Sequence, residues 1–233
     1  MGIILLFILL VVVVSTAVAV PIAIGRGKAR LRRAEQLAAT GYGRLTLSTD
    51  GVHDVVPLLP LTKAAPEYRL HRTDNLLHIQ VADRDALVFE HFSSATANPT
   101  NLISVLWKLA SMKRRMVWVT GVRTVPAWVQ FVPNHFKAPK PERKSRVTTG
   151  DTEIDARYVV SAADPRMVGA LLADGQFRQT LLAETDYGWR LDDRTDCLAS
   201  WRMEPIDDAT KVIGHIHFMV HLAARLEGVL HQR

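Results

Sequence analysis

Three histidines near the carboxyl end are the residues whose spacing points most directly to chemistry. His215, His217 and His221 form the pattern H-x-H-x-x-x-H. On a helix His217 and His221 lie one turn apart, so their imidazoles could share a metal ion. Both point away from the apolar stripe of the helix predicted there, and no neighbouring carboxylate or cysteine completes a ligand set. We therefore favour an exposed pair over a metal site, and we expect no cofactor.

Carboxylates form the second group with chemical potential. Asp151, Glu153 and Asp155 alternate, so on a strand all three would share one face and could hold a hard cation. An exposed edge or loop has the same pattern, and we favour that interpretation. The acidic positions between 192 and 196 lack the glycine and the closing glutamate of a calcium loop.

Motifs of the common enzyme classes are absent from the sequence. There is no G-x-S-x-G, no phosphate-binding glycine loop, no C-x-x-C pair and no zinc-protease motif. The only cysteine, Cys197, cannot form an internal disulfide, and we interpret it as a structural thiol in an apolar strand. An enzyme with catalytic groups dispersed along the chain is still open.

An uncharged, mostly apolar run occupies positions 3–24 near the start of the chain. As a helix it would reach about 33 Å, which exceeds the roughly 30 Å of a hydrocarbon core. A cleaved signal peptide is the alternative, because Ala17-Val18-Ala19 is similar to a cleavage site. A signal peptide normally has basic residues before its apolar run, and this chain has none. We therefore predict that residues 1–25 are a retained transmembrane anchor.

A cluster of five basic residues follows the apolar run directly. Its members are Arg26, Lys28, Arg30, Arg32 and Arg33. By the positive-inside rule this cluster places the N-terminus outside and the rest of the chain in the cytoplasm, so we predict a single-pass protein of the cell membrane. Positions 26–43 are predicted as a basic juxtamembrane helix that ends at glycine and contacts the anionic leaflet of the lipid bilayer.

The charge balance argues against nucleic acid as a partner. The chain has 29 basic and 23 acidic residues, and all of the acidic ones follow the basic cluster. The rest of the chain is therefore almost neutral, although the pI of the whole chain is about 9.7. A nucleic-acid interface needs a basic stripe across the folded domain, so we expect the bilayer to be the partner of these charges.

Positions 44–233 are predicted to form a cytoplasmic α+β region with a mainly antiparallel sheet and packed helices. Short apolar runs predict strands at 76–81, 87–92, 116–120, 127–132, 154–161, 187–191 and 197–203. Capping residues and periodicity predict helices at 98–115, 164–174, 177–184 and 207–231. A charged, proline-containing stretch leaves open a subdivision near 137–150.

The predicted helix at 98–115 adds further candidates for membrane contact. Its broad apolar arc includes Trp107, and Lys113, Arg114 and Arg115 suit its carboxyl end. A buried helix that covers the sheet is the simpler interpretation. The alternative is an interfacial helix that inserts Trp107 into the inner leaflet while the three cations bind lipid headgroups.

The order of motifs in the second half is similar to that of a known family. Tyr158-Val159-Val160 leads into Ala163-Asp164-Pro165, and leucine pairs at 171–172 and 181–182 precede Trp189 and the strand at 198–201. With the anchor and the basic helix that leads to 39–42, this order resembles a family of bacterial membrane-anchored proteins of unknown function, common in actinobacteria. The resemblance implies one transmembrane helix and an α+β domain, and it supplies no catalytic residues.

Two functional hypotheses from different classes follow. We favour a membrane-tethered binding or accessory protein whose cytoplasmic domain docks on a membrane complex or on inner-leaflet lipid. The alternative is a membrane-tethered enzyme, with metal assistance from His217 and His221 or from the carboxylate groups above. Metal analysis of the purified protein distinguishes the two, because only the second requires a bound ion.

Overall fold

The computed structural model describes residues 71–93, 113–136 and 145–231 except 205 and 207, together with a short strand at 43–46 and five helical positions before it. Those positions are Lys28, Arg32, Glu35, Gln36 and Ala39, and all five side chains are exposed. Among the described residues, no helix has the length and apolar character to span a bilayer. The predicted anchor at 3–24 and most of the predicted helix at 98–115 lie outside the described residues.

Nine described strands form one antiparallel sheet. Their bounds are β1 Gly43–Thr46, β2 His71–Val81, β3 Arg84–Ser93, β4 Lys113–Gly121, β5 Val129–Pro133, β6 Arg146–Val147, β7 Tyr158–Ala162, β8 Tyr187–Asp192 and β9 Cys197–Arg202. They lie in the order β1-β2-β3-β4-β9-β8-β5-β7-β6. Strands from before and after positions 137–150 alternate in this order, so the sheet continues across the stretch where the sequence left a subdivision open.

Four described helices pack with this sheet. They are α1 Thr152–Arg157, α2 Pro165–Ala173, α3 Gly175–Ala183 and α4 Ala209–His231. The α2 helix begins as predicted, because the Asp164 side chain accepts a hydrogen bond from the Arg166 amide and Pro165 occupies the first turn. An α+β fold with a mainly antiparallel sheet and packed helices is therefore confirmed.

The two faces of the sheet bury different residues, because side chains alternate along each strand. The helix-side face is the larger, and residues of all four helices join its core. In β4 its members are Met116 and Trp118. The second face holds a smaller apolar cluster, formed by Phe89, Val117, Val119, Val132, Phe136, Cys197, Ala199 and Trp201. The buried side chains of α4 all belong to the core on the helix-side face.

Most predicted elements occur in the structure, and two predictions were wrong in part. The predicted strand at 154–161 begins as the helix α1, because the Asp151 carboxylate accepts the amides of Glu153 and Ile154 and so caps a helical turn. The strand β7 starts only at Tyr158. Positions 113–115 were predicted as the end of a helix, but they open β4 and pair with 91–93 of β3. Hydrogen bonding to β3 therefore makes this segment a strand, although its charges suit the end of a helix.

Candidate functional site

The histidines 215, 217 and 221 of α4 do not all face the same way. The helix begins after Asp208, whose carboxylate accepts the amides of Thr210 and Lys211. From there an apolar stripe turns His215 towards the sheet, where it is 9% exposed. His217 is half-exposed and His221 is exposed, as their positions off the stripe predict. The pattern H-x-H-x-x-x-H therefore contains one buried residue and one outward pair.

His215 lies in an aromatic cluster between α4 and the sheet. Its Nε2 is 3.0 Å from the Oγ of Ser200 on β9, and both groups are buried. Its ring stacks on Tyr187 with centroids 4.3 Å apart, and it meets the edge of Trp118 at 4.7 Å. Trp189 adds a third ring from β8 at 5.7 Å. Register explains the assembly, since Ser200 pairs with Trp118 on one side and with Trp189 on the other.

A buried serine–histidine pair has the composition of a nucleophile and its general base. A general base works best with a pKa near the operating pH. Burial, with a smaller contribution from the charge of Arg202, lowers the pKa of His215 to about 3. Ser200 is also fully buried, so a substrate has no access to its hydroxyl. We therefore interpret the pair as an internal hydrogen bond that satisfies two buried polar groups.

The sequence contained little signal for this pair. Ser200 lies in a run of apolar residues, and it is 15 positions from His215. Their contact depends on where α4 crosses the sheet, and sequence periodicity does not specify that crossing. The only available hint was that His215 shares the helix face of Val212 and Ile216.

A charged group closes the same cluster at one end. The Arg202 guanidinium lies 5.8 Å from the centre of the Tyr187 ring and 3.5 Å from the carboxylate of Asp186. Burial raises the pKa of the Tyr187 hydroxyl. Glu90 is only 2% exposed. It pairs across the strands with Met116, which pairs in turn with Arg202. The end of the aromatic core is therefore polar, with Glu90 buried and the Arg202–Asp186 pair open to solvent.

An ion pair fastens the carboxyl half of α4 to the sheet. Arg84 donates to both oxygens of Glu227, at 2.7 and 2.6 Å, and the Arg123 amide donates to the same carboxylate at 2.6 Å. Arg84 also donates to the carbonyl of Gly121 at 3.0 Å. The hydrogen bond from Arg84 holds the pKa of Glu227 below its usual range. These charges are engaged in holding elements together, so they are not available for chemistry.

The predicted acidic triplet is divided between caps and an arginine. Arg178 of α3 donates to Asp151 at 2.5 Å and to Glu153 at 2.7 Å. Asp155 instead accepts the amide and the hydroxyl of Thr149. The three carboxylates do not share one strand face, because two of them lie in the helix α1 and Asp151 caps it. Hydrogen bonding to Arg178 lowers the pKa of Asp151, which stays charged in its capping role.

A second charged pair lies on the opposite face of the sheet, in β8. Arg190 donates to Asp192 through Nε at 2.7 Å and to Gln130 at 3.2 Å, and its guanidinium lies over the Trp128 ring. The other oxygen of Asp192 accepts the Arg194 amide. This carboxylate therefore shapes the β8–β9 turn.

The predicted membrane-contact residues are described only in part. The described cations Lys28 and Arg32 are helical and exposed. Arg115 is only 3% exposed, and burial lowers its pKa to about 10. We therefore leave Arg115 out of any lipid-binding surface. The side chains of Arg26, Arg30, Arg33, Trp107, Lys113 and Arg114 lie outside the described residues.

Cys197 occupies the first position of β9 and is buried, as predicted for a structural thiol. Its sulfur lies 3.3 Å from the hydroxyl of Thr195. Burial raises the pKa of the thiol to about 11. The thiolate is the reactive form of cysteine, so this residue is inert at neutral pH.

Neither metal geometry nor a known relative identifies a site. Within the described part of the chain, no group of three or more histidine, cysteine, aspartate or glutamate side chains could hold a metal ion. No family model, curated protein or solved structure matches the chain.

Proposed function

We propose that this chain is a membrane-tethered binding or accessory protein, whose α+β domain is held at the cytoplasmic face and docks on a membrane complex or inner-leaflet lipid. One observation carries the proposal, namely the uncharged run at 3–24 followed by five basic residues within nine positions. The run has the length of a transmembrane helix, and the cations retain the following domain inside.

The basic cluster also supplies a binding energy towards the inner leaflet. A cation close to an anionic membrane surface contributes about 1 kcal/mol, so five of them produce a strong and salt-sensitive attraction. The lipid they would recognise is an anionic headgroup. Arg26, Lys28, Arg30, Arg32 and Arg33 are the residues we assign to it, with Trp107, Lys113 and Arg114 as further candidates.

The character of the described domain supports a binding role over catalysis. Its buried charged groups are engaged in internal pairs, such as Arg84 with Glu227 and Arg190 with Asp192. Its buried histidine has a pKa too low for a general base. The resemblance to the actinobacterial membrane-anchored family belongs to the same proposal, since it implies the same arrangement of anchor and domain.

Membrane fractionation of the full chain tests the tether. We expect the protein to stay in the membrane pellet after an alkaline carbonate wash and to leave it only with detergent. A tag at the C-terminus should be protected from protease in spheroplasts. Release by carbonate, or digestion of the tag in intact spheroplasts, would refute the anchor or its orientation.

A second experiment tests the docking role. The full chain is purified in mild detergent from native membranes, and it is also reconstituted into neutral and into anionic nanodiscs. We expect a defined co-purifying complex, or closer association of the domain with the anionic surface. Replacing the five clustered cations with glutamine should remove the lipid effect. A protein that always elutes alone and that ignores lipid charge would contradict the proposal.

A further inference from the structure

We propose that the sheet is oriented with one particular end towards the inner leaflet, so that the loops of this end form the membrane-facing surface of the domain. The near end, as we call it, carries the β2–β3 turn at 82–83, the β4–β5 connection at 122–128 and the β8–β9 turn at 193–196. This orientation rests on the proposed membrane tether. It follows from the place at which the chain enters the sheet.

The chain enters the sheet at the near end. Gly43, the first residue of β1, pairs with Ile79, which lies two residues before the end of β2. Ile79 pairs in turn with Ala86, and Ala86 pairs with Thr120 at the carboxyl end of β4. Helical positions are described as far as Ala39, so only three residues separate the last of them from β1. The tether therefore attaches at the near end.

The opposite end of the sheet, which we call the far end, is where His71 pairs with Ser93 and Ser93 pairs with Lys113. Two long connections begin or end there. One joins Ser93 to Lys113 through 19 residues, and the other joins Thr46 to His71 through 24 residues. A sheet that turned its far end to the membrane would have to accommodate both connections between the strands and the lipid.

The length of the tether distinguishes the two ends. Arg32 belongs to the basic cluster that we assign to the lipid headgroups. From Arg32 to Ala39 a helix rises about 10 Å, and the four steps on to Gly43 add at most about 14 Å. The start of β1 therefore lies within about 25 Å of the headgroups. Ile79, the partner of Gly43, is eight residues from His71, which is about 26 Å along β2.

An inverted sheet would use the whole length of the tether. Even with the tether straight along the membrane normal, His71 would reach the headgroup layer, and the two connections at the far end would have no room. With the near end towards the leaflet, the strands extend away from the membrane and the tether needs no particular shape. The limited reach of the tether therefore favours the near end as the membrane-facing surface.

Hydrogen bonds between its loops make the near end a fixed surface. The Asp196 carboxylate accepts the Val125 amide at 2.9 Å, which joins the β8–β9 turn to the β4–β5 connection. Glu227 joins that connection to the β2–β3 turn, because it accepts from the Arg123 amide and from Arg84, the residue that follows the turn. Loops that are already ordered lose little freedom when a partner binds. A protein embedded in the same membrane would meet this surface first.

The orientation also separates two groups of residues proposed for lipid contact. The basic cluster leads into the near end, whereas Lys113 and Arg114 open β4 at the far end. Lys113→Gln combined with Arg114→Gln should therefore leave the response of the domain to anionic lipid unchanged, while glutamine at the five clustered cations should remove it. If the β4 pair alone removes the response, the far end contacts the leaflet and the proposal fails.

Energy transfer to labelled lipid measures the orientation directly. The full chain in nanodiscs carries a donor fluorophore on one introduced cysteine, at the near end in Asp83→Cys or Asp193→Cys, or at the far end in His135→Cys or Glu204→Cys. All four positions are exposed, and the parent chain, with its buried Cys197, measures background labelling. With acceptors on the lipid headgroups, we expect higher transfer from both near-end sites than from both far-end sites. Equal transfer, or higher transfer from the far end, would overturn the orientation.

The same samples distinguish a wrong orientation from a wrong tether. A chain that does not co-elute with the nanodiscs lacks the anchor, which would refute the proposed function and this orientation together. A chain that co-elutes but shows equal or reversed transfer keeps its tether, and only the orientation is then refuted.

Discussion

Replacing Gly188 with alanine is expected to destabilise the domain, because the added methyl group would collide with the Trp201 ring. Gly188 lies in β8 directly across from Trp201 of β9. An ideal Cβ at this position would be 2.3 Å from both Cε2 and Cζ2 of the indole and 2.7 Å from its Nε1. Carbon atoms in contact are normally about 3.5–4.0 Å apart, so the ring would have to shift by more than about 1 Å.

The magnitude follows from the surroundings of the ring. Trp201 is only 1% exposed and packs within the apolar cluster of the second face, so it has little room to move. Overpacking of a filled core costs about 1–3 kcal/mol. For a protein of this size that loss corresponds to a fall in Tm of roughly 2–12 °C. The gain from a less flexible unfolded chain, about 0.4–1 kcal/mol, offsets only part of this cost.

Thermal and urea denaturation of the full chain in detergent measure the effect. Gly169→Ala is the matched control, because Gly169 is an exposed helical residue whose added Cβ would meet nothing within 4 Å. It should raise stability by about 0.5–1 kcal/mol. In a Trp201→Leu background the cost of Gly188→Ala should shrink, which identifies the ring as the obstacle. Equal or higher stability for Gly188→Ala than for the parent would refute the packing described for this face.

Three further outcomes are expected. Burial lowers the pKa of His215 from about 6.5 to about 3, so the unfolded chain binds this proton more tightly than the folded chain does. The free energy of unfolding should therefore fall as the pH drops through this interval, by up to about 1.4 kcal/mol per pH unit. In urea titrations at a series of pH values, His215→Phe should flatten that slope; an unchanged slope would contradict the burial of His215. Glu227→Gln should cost about 1–3 kcal/mol in the same titrations, because it leaves the partly buried Arg84 guanidinium without its anion; an unchanged urea midpoint would contradict the clamp. Cys197 should resist thiol reagents at pH 8 in the native protein and react fully in denaturant, since burial raises its pKa to about 11; rapid labelling of the native chain would show that the thiol is accessible.

Local signals in the sequence were sufficient for some of these elements. Asp164 followed by proline marks the start of α2 through a cap that needs no other part of the fold. The apolar stripe of α4 predicted which histidines point outward, since it depends only on helix geometry. The strands predicted at 187–191 and 197–203 also occur, as β8 and β9, and they pair with each other as neighbours in the chain.

Long-range contacts decided the remaining features. The segment 113–115 has the charges of a helix end, but pairing with β3 makes it a strand. At α1 a single side chain, Asp151, outweighs the strand propensity of a short apolar stretch by accepting two amides. The contact between Ser200 and His215 requires both the register of β9 and the crossing of α4, and sequence patterns specify neither. Such features depend on the whole sheet.

The strand order has a consequence for how this chain folds during synthesis. β4 and β5 are consecutive in the sequence, yet β9 and β8 lie between them in the sheet. Until Tyr187–Arg202 has been made, β4 lacks its partner on that side and β5 lacks one of its two neighbours. Sheet closure must therefore wait for distant residues, which is slow and exposes strand edges to wrong partners. A chain truncated before β8 would have an open sheet, so we expect the described strands to gain their stability together and late.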